Sequence, residues 1–188
     1  MTRSRLFLCL RPTTNRPSPE PASLPRAGLA LVALLVPGVA AAALWNVQPA
    51  PEAKGLPWAV VKSAAGHELV LYRSTDSQVH LRFTLAGTFS TLAPGHCPTF
   101  QIDAQQPLFH LAIDQACHVD HKHAIVDLGT VEKHLLVSAA IDQLMNGEQI
   151  EFRYMTADGR YHEADFALAR SSLAIRRALG RDVRVRAK

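Results

Sequence analysis

The sequence predicts a mainly β protein: an antiparallel β-sandwich or barrel-like domain with two short helices, preceded by an N-terminal hydrophobic helix. Three observations carry this expectation. From residue 58 to residue 168, short runs of alternating apolar and polar residues recur, with turn signals about every eight to twelve residues. Two windows, 138–147 and 171–180, open on serine, change to helical apolar spacing and close on glycine. Finally, Ala27 to Trp45 is a run of nineteen residues without a charge.

The elements follow in order. Trp58–Lys62 and Glu68–Arg73 read as two strands joined by a turn at Ala65-Gly66. Val79 to Leu85 alternates strictly and places Val79, Leu81, Phe83 and Leu85 on one face. Phe89–Leu92 reads as a continuation of the sheet, Pro94-Gly95 as a turn, and Thr99–Asp103 as a further alternating strand. Leu108–Ile113 and Ala124–Leu128 are apolar runs of strand length. Ser138 caps a helix that runs to Asn146 with Ile141, Leu144 and Met145 on one face, a spacing that reads as core packing. Ile150, Phe152 and Tyr154 alternate, Asp158-Gly159 turns, and Tyr161–Leu168 returns, which is the clearest hairpin in the chain. A last helix, capped by Ser171 or Ser172, reaches Leu179 and ends at Gly180.

Composition divides the chain into a disordered basic leader (1–26), a signal-peptide core or transmembrane anchor (27–45), a Pro- and Gly-rich linker (46–57), the sandwich domain (58–180) and a basic tail (181–188). A domain of about 120 residues can bury a substantial core. The formal charge of +4 conceals a division. Residues 44–169 hold eight basic and fourteen acidic side chains, whereas 170–188 hold seven basic residues against Asp182 alone. An acidic body with a basic end does not suit nucleic acid, which needs an extended basic surface with interleaved aromatics. The basic end reads as a solvated helix face and tail; together with the N-terminal segment it is also the place where a membrane contact would form.

Arginines, then Leu29–Val36, then Pro37-Gly38 and Ala41-Ala42-Ala43 have the layout of an export signal with cleavage between Ala43 and Leu44. The same run nearly reaches the roughly 20 residues that span a bilayer, so a retained anchor is the alternative. In both cases the arginines stay inside and the domain faces the periplasm of a bacterial-type cell. Export favours a disulfide between Cys97 and Cys117, the two cysteines of the domain.

Six of the nine histidines lie between 96 and 134, densest in Cys117-His-Val-Asp-His-Lys-His123. Imidazoles suit zinc or copper, and His96, His118, His121 and His123 are the candidate ligands, with Asp120 as an orienting partner and His110 as a further donor. The blander reading is a solvated histidine-rich loop beside a disulfide. No G-x-S-x-G, S-x-x-K, H-E-x-x-H, C-x-x-C or phosphate-binding glycine loop occurs, and no catalytic residue or required cofactor is expected.

Several residues together resemble a known family. Trp58 opens the domain and Leu81-Arg-Phe83 leads to Cys97-Pro-Thr-Phe-Gln-Ile-Asp103. Cys117 follows, a helix ends in Leu144-Met-Asn-Gly147, and Phe166-Ala-Leu168 runs into Ser171-Ser-Leu-Ala174. This pattern, over roughly 58–180, is similar to the invasion-associated locus B family of exported bacterial proteins. The resemblance implies a β-sandwich without known enzymatic activity and carries over no functional residue. The family places a glycine before its last helix, where this chain has Arg170 and Ser171. The expectation from sequence is therefore a periplasm-facing, non-enzymatic module that contacts a protein or the cell envelope. The alternative is a periplasmic zinc- or copper-binding protein.

Overall fold

In the computed structural model, which describes residues 43–51, 55–103 and 117–187, the alternating runs form antiparallel sheets. The described elements in chain order are β1 (Asn46–Gln48), β2 (Trp58–Lys62), β3 (Glu68–Arg73), β4 (Gln78–Thr84), β5 (Thr99–Ile102), β6 (Cys117–Val119) and β7 (His123–Thr130). They continue with β8 (Leu135–Val137), α1 (Ala139–Asn146), β9 (Gln149–Met155), β10 (Tyr161–Ala167), α2 (Ser171–Leu179) and β11 (Arg184–Arg186). Strands β1-β2-β3-β4-β7-β6 form a six-stranded sheet, β10-β9-β5 a three-stranded one, and β8 pairs with β11 in parallel. The strand at 108–113, the leader, His110 and residues 27–42 of the hydrophobic segment lie outside the described residues. Among the described residues no helix is long and apolar enough to cross a membrane.

Period-two alternation sorts β4 cleanly: Val79, Leu81 and Phe83 are fully buried, while Gln78, His80, Arg82 and Thr84 turn outward. The two sheets meet where Phe83 stacks on Phe152 with centroids 4.7 Å apart, and Phe152 stacks in turn on Phe100 at 5.9 Å. Offset stacking of this kind adds about 0.5–1.5 kcal/mol per pair beyond area burial. Helix α2 closes the same core with Ala174, Ile175, Ala178 and Leu179. On the outer face of the large sheet, Trp58 contacts Tyr72 at 5.1 Å, Tyr72 contacts His80 at 5.1 Å, and His80 Nδ1 meets Asp127 at 2.5 Å. This is a cross-strand ladder over four strands.

Several expectations are corrected. Phe89–Leu92 does not continue the sheet: only Leu92 bridges, to Thr156, and Phe89 is 98% exposed. Neither Ser171 nor Ser172 caps α2. Arg170 holds the cap position at φ 66° without a side-chain bond, and Ser171, its N–H donated to Leu168 O, already lies buried in the first turn. Gly147 ends α1, which is capped at Ser138, both as expected, and its φ is −81°. Glycine is needed there for space, since a Cβ would lie 2.6 Å from Ile102 Cγ2 and 2.9 Å from Asp103 Oδ2. The segment beyond 180 is no free tail, because β11 pairs with β8 and Arg186 O accepts from Ser138 N–H. The segment read as linker begins with β1, and Trp45, read as the end of the hydrophobic run, is only 3% exposed. Its indole N–H donates to Ala167 O at 3.0 Å and its backbone N–H to Ala169 O.

These contacts give the sandwich two distinct poles. Strand β9 runs from Gln149 at one pole to Met155 at the other, about 20 Å at the usual strand rise. Trp45, Ile102, Ala167 and Gly147 lie at the first pole. The β9–β10 turn, the loop after β4 and the β6–β7 turn lie at the second, joined by Leu92 N–H to His121 O, Ala93 N–H to Met155 O and Ala157 N–H to Thr91 O.

Candidate functional site

The second pole gathers histidines that are far apart in sequence. His67, just before β3, accepts the Ala86 N–H through Nδ1 at 3.0 Å, so its own proton sits on Nε2, 3.3 Å from the Tyr154 hydroxyl. The ring lies 5.6 Å from both Phe83 and Tyr154. Burial foremost, and then the charge of His162, hold His67 below the usual imidazole value, and burial raises the Tyr154 phenol. His162 stacks on Tyr154 at 5.5 Å and bonds Thr156 Oγ1 at 3.1 Å. Thr156 donates onward to Asp158 at 2.6 Å, and Arg160 Nε donates to the same carboxylate at 2.6 Å. The Thr156 hydroxyl, then Arg160, push Asp158 down to about 2. The hairpin tip is thereby tied in one arrangement.

The β6–β7 turn is held similarly. Asp120 Oδ1 accepts from the backbone N–H groups of Lys122 at 2.8 Å and His123 at 2.7 Å, and His123 Nδ1 stands 3.2 Å from both carboxylate oxygens. Burial works to raise the Asp120 pKa, but these backbone donors and the imidazole outweigh it, and the net shift is downward. Lys122 reaches across and donates to Gly87 O at 2.6 Å and Ser90 O at 2.5 Å. It clamps both sides of the loop that presents Phe89.

The candidate metal residues are only partly brought together. His121 lies in the turn at 120–122, between β6 and β7 and on neither strand. Strand register instead places His118, opposite Ile125, and His123, opposite Thr84, on the outer face of the large sheet. His96 is fixed to Pro94 O at 3.1 Å beside the cysteine pair. Among the described residues no group of three or more His, Cys, Asp or Glu is arranged to hold a metal ion. Cys97 and Cys117 stand as a disulfide, with Cα atoms 6.0 Å apart.

A second feature lies on the outer face of the three-stranded sheet. Register aligns Thr99, Arg153 and Glu163 in one row, Gln101, Glu151 and Asp165 in the next, and Met155 beside Tyr161 at the pole. A cavity of about 710 Å³ sits over the first row, walled by Gly95–Cys97 and by Tyr161, which is 79% exposed. A second hollow of about 800 Å³ continues over Gln101, Gln149 and Glu151 toward Asp103. The carboxylates here already have donors: Arg153 Nε serves Glu151 at 2.7 Å and Glu163 at 3.0 Å, Gln149 Nε2 serves Asp165 at 3.0 Å, and two backbone N–H groups serve Asp103.

His67 and His162, which anchor this pole, escaped sequence reasoning because neither lies in the histidine-rich segment. The hint available was that each falls beside a turn of a predicted hairpin, His67 after Gly66 and His162 after Tyr161.

Fold and site together define an antiparallel β-sandwich with a disulfide-tied, histidine-rich pole and a polar sheet face edged by an exposed tyrosine. No family model matches the chain, and no curated protein or solved structure matches it.

Proposed function

We propose that the chain is an exported, non-enzymatic module that contacts the cell envelope through the pole carrying Phe89 and Tyr161. One observation carries this reading. Two aromatic rings, 98% and 79% exposed, are presented by a loop and a hairpin whose backbones are held in place by Lys122 and by the Thr156–Asp158–Arg160 network. Exposed aromatics on rigid supports are the usual anchors of recognition surfaces, because little conformational entropy is lost when they dock. The position of Trp45 bears on export. A membrane span reaching Trp45 would pull its indole from the core, whereas a segment ending at Ala43 leaves the domain intact. That favours an export segment of 27–43, either cleaved before Leu44 or retained as an anchor. The non-enzymatic reading is supported by Asp120, Asp158 and His162, whose hydrogen bonds are taken up in holding the turns. Membership of the invasion-associated locus B family remains part of this proposal and would agree with it.

The test is fractionation of cells expressing residues 44–188 behind a cleavable export signal, so that no anchor can hold the chain. Phe89→Ser with Tyr161→Ser should leave secretion and thermal unfolding unchanged and release the protein from washed envelopes. Undiminished retention of a folded double variant would overturn the reading.

A further inference from the structure

We infer that the outer face of the β10-β9-β5 sheet is a binding groove for a neutral oligosaccharide. The inference rests on the reading of the pole as the envelope contact and names the chemistry that the groove beside it would take.

Two hollows of about 710 and 800 Å³ lie in succession over one sheet face, each within the range of small-ligand sites. Their floor is made of planar polar groups on adjacent strands: the guanidinium of Arg153, the carboxylates of Glu151 and Glu163, and the amides of Gln101 and Gln149. An apolar ligand would desolvate the Arg153 pair with Glu151 and Glu163 and offer nothing in return, which is costly. An anion would meet Asp103, Glu148, Glu151, Glu163 and Asp165 with only Arg153 to attract it. A cationic peptide would be drawn by the same carboxylates, although Arg153, Gln149 and backbone donors already occupy part of each, and pentalysine therefore enters the test as the rival occupant. The remaining lone pairs and N–H groups suit hydroxyls, which donate and accept at once. At the pole end, Tyr161 offers an open ring on which the C–H face of a sugar can lie, with Met155 beside it. A ligand with hydroxyls around its rim and an apolar face is a saccharide, and two hollows in line suit a chain of several sugars.

The test titrates the purified full-length chain with chitotriose, maltotriose, an acidic uronate trimer and pentalysine, following backbone amide shifts by NMR. At least one neutral trimer should shift the amides of Tyr161, Arg153 and Gln101, with a dissociation constant on the order of 1 mM or tighter. The acidic trimer should not shift them. Tyr161→Ala should weaken binding roughly three- to tenfold, the loss of one stacking contact, while Phe89→Ser leaves it unchanged. Absence of shifts with both neutral trimers, shifts confined to other surfaces, an undiminished Tyr161→Ala variant, or preference for pentalysine would each overturn the groove. Envelope retention lost in the Phe89→Ser single variant while both neutral trimers fail to bind would leave the pole as contact surface and remove the saccharide alone.

Discussion

Replacing Cys97 and Cys117 together by alanine should cost the domain about 3 kcal/mol. The two residues are 20 apart in sequence, and the chain-entropy relation for a loop of that length, evaluated at room temperature, gives about 3 kcal/mol. The link ties the edge strand β6, paired with β7 at Cys117 opposite Val126, to the Gly95–Cys97 wall of the cavity beside Tyr161. Loss of the link therefore removes an unfolded-state constraint and loosens the pole at the same time. The assay is urea unfolding followed by the fluorescence of Trp45 and Trp58, the two tryptophans of the chain. With a slope of about 1–3 kcal/mol per molar urea, typical of small proteins, the midpoint should fall by roughly 1–3 M. A loss under about 1 kcal/mol, or two alkylatable thiols in the native exported protein, would refute the reasoning.

Other predictions follow from single contacts. Gly147→Ala should destabilise by about 1–3 kcal/mol in the same assay, because its Cβ would meet Ile102 and Asp103 inside 3.0 Å. Trp45→Phe, which keeps an aromatic ring but loses the pyrrole half of the buried indole and its bond to Ala167 O, should cost at least about 1 kcal/mol and leave that carbonyl partly unsatisfied. Arg170→Gly should stabilise by roughly 0.5–1 kcal/mol, since it relieves a left-handed backbone at φ 66°. The His67 pKa is lowered in the fold, so its contribution is intact above the unfolded value near 6.5 and is lost as pH falls below it toward the folded value. Thermal stability should therefore decline as pH falls below 6.5, with a slope of at most about 1.4 kcal/mol per pH unit. His67→Asn, whose Oδ1 can still accept the Ala86 N–H, should flatten that decline; an unchanged slope would exclude His67 as its source.

The strands were legible where one face is buried, because burial forces period-two alternation: β2 and β3 match their sequence bounds and β4 and β5 lie within a residue of theirs. Short pairings were not legible. β1, β8 and β11 have three residues each, too few to show a period, and their partners are distant: Val60 for Asn46, Leu135 for Arg184. Ser138 capped α1 as its sequence suggested, but Ser171 did not cap α2, because the turn from Leu168 admits the helix one residue early. Arg170 stands in the left-handed conformation that glycine best suits, and nothing in the local pattern signalled it. At the pole, the local histidine cluster was visible, but the contacts that order it are long-range. Lys122 with Gly87 and Ser90, and His67 with Tyr154, join residues more than thirty apart, which no local pattern encodes.

The most direct test of the pole as contact surface is photo-crosslinking in intact cells, with a photoreactive side chain at position 89 in one chain and, in another, at the exposed position 173, in the first turn of α2 beside the opposite pole and outside the groove. Adducts with envelope components from position 89 and none from position 173 are the expected result. Adducts from position 173 alone would contradict the account.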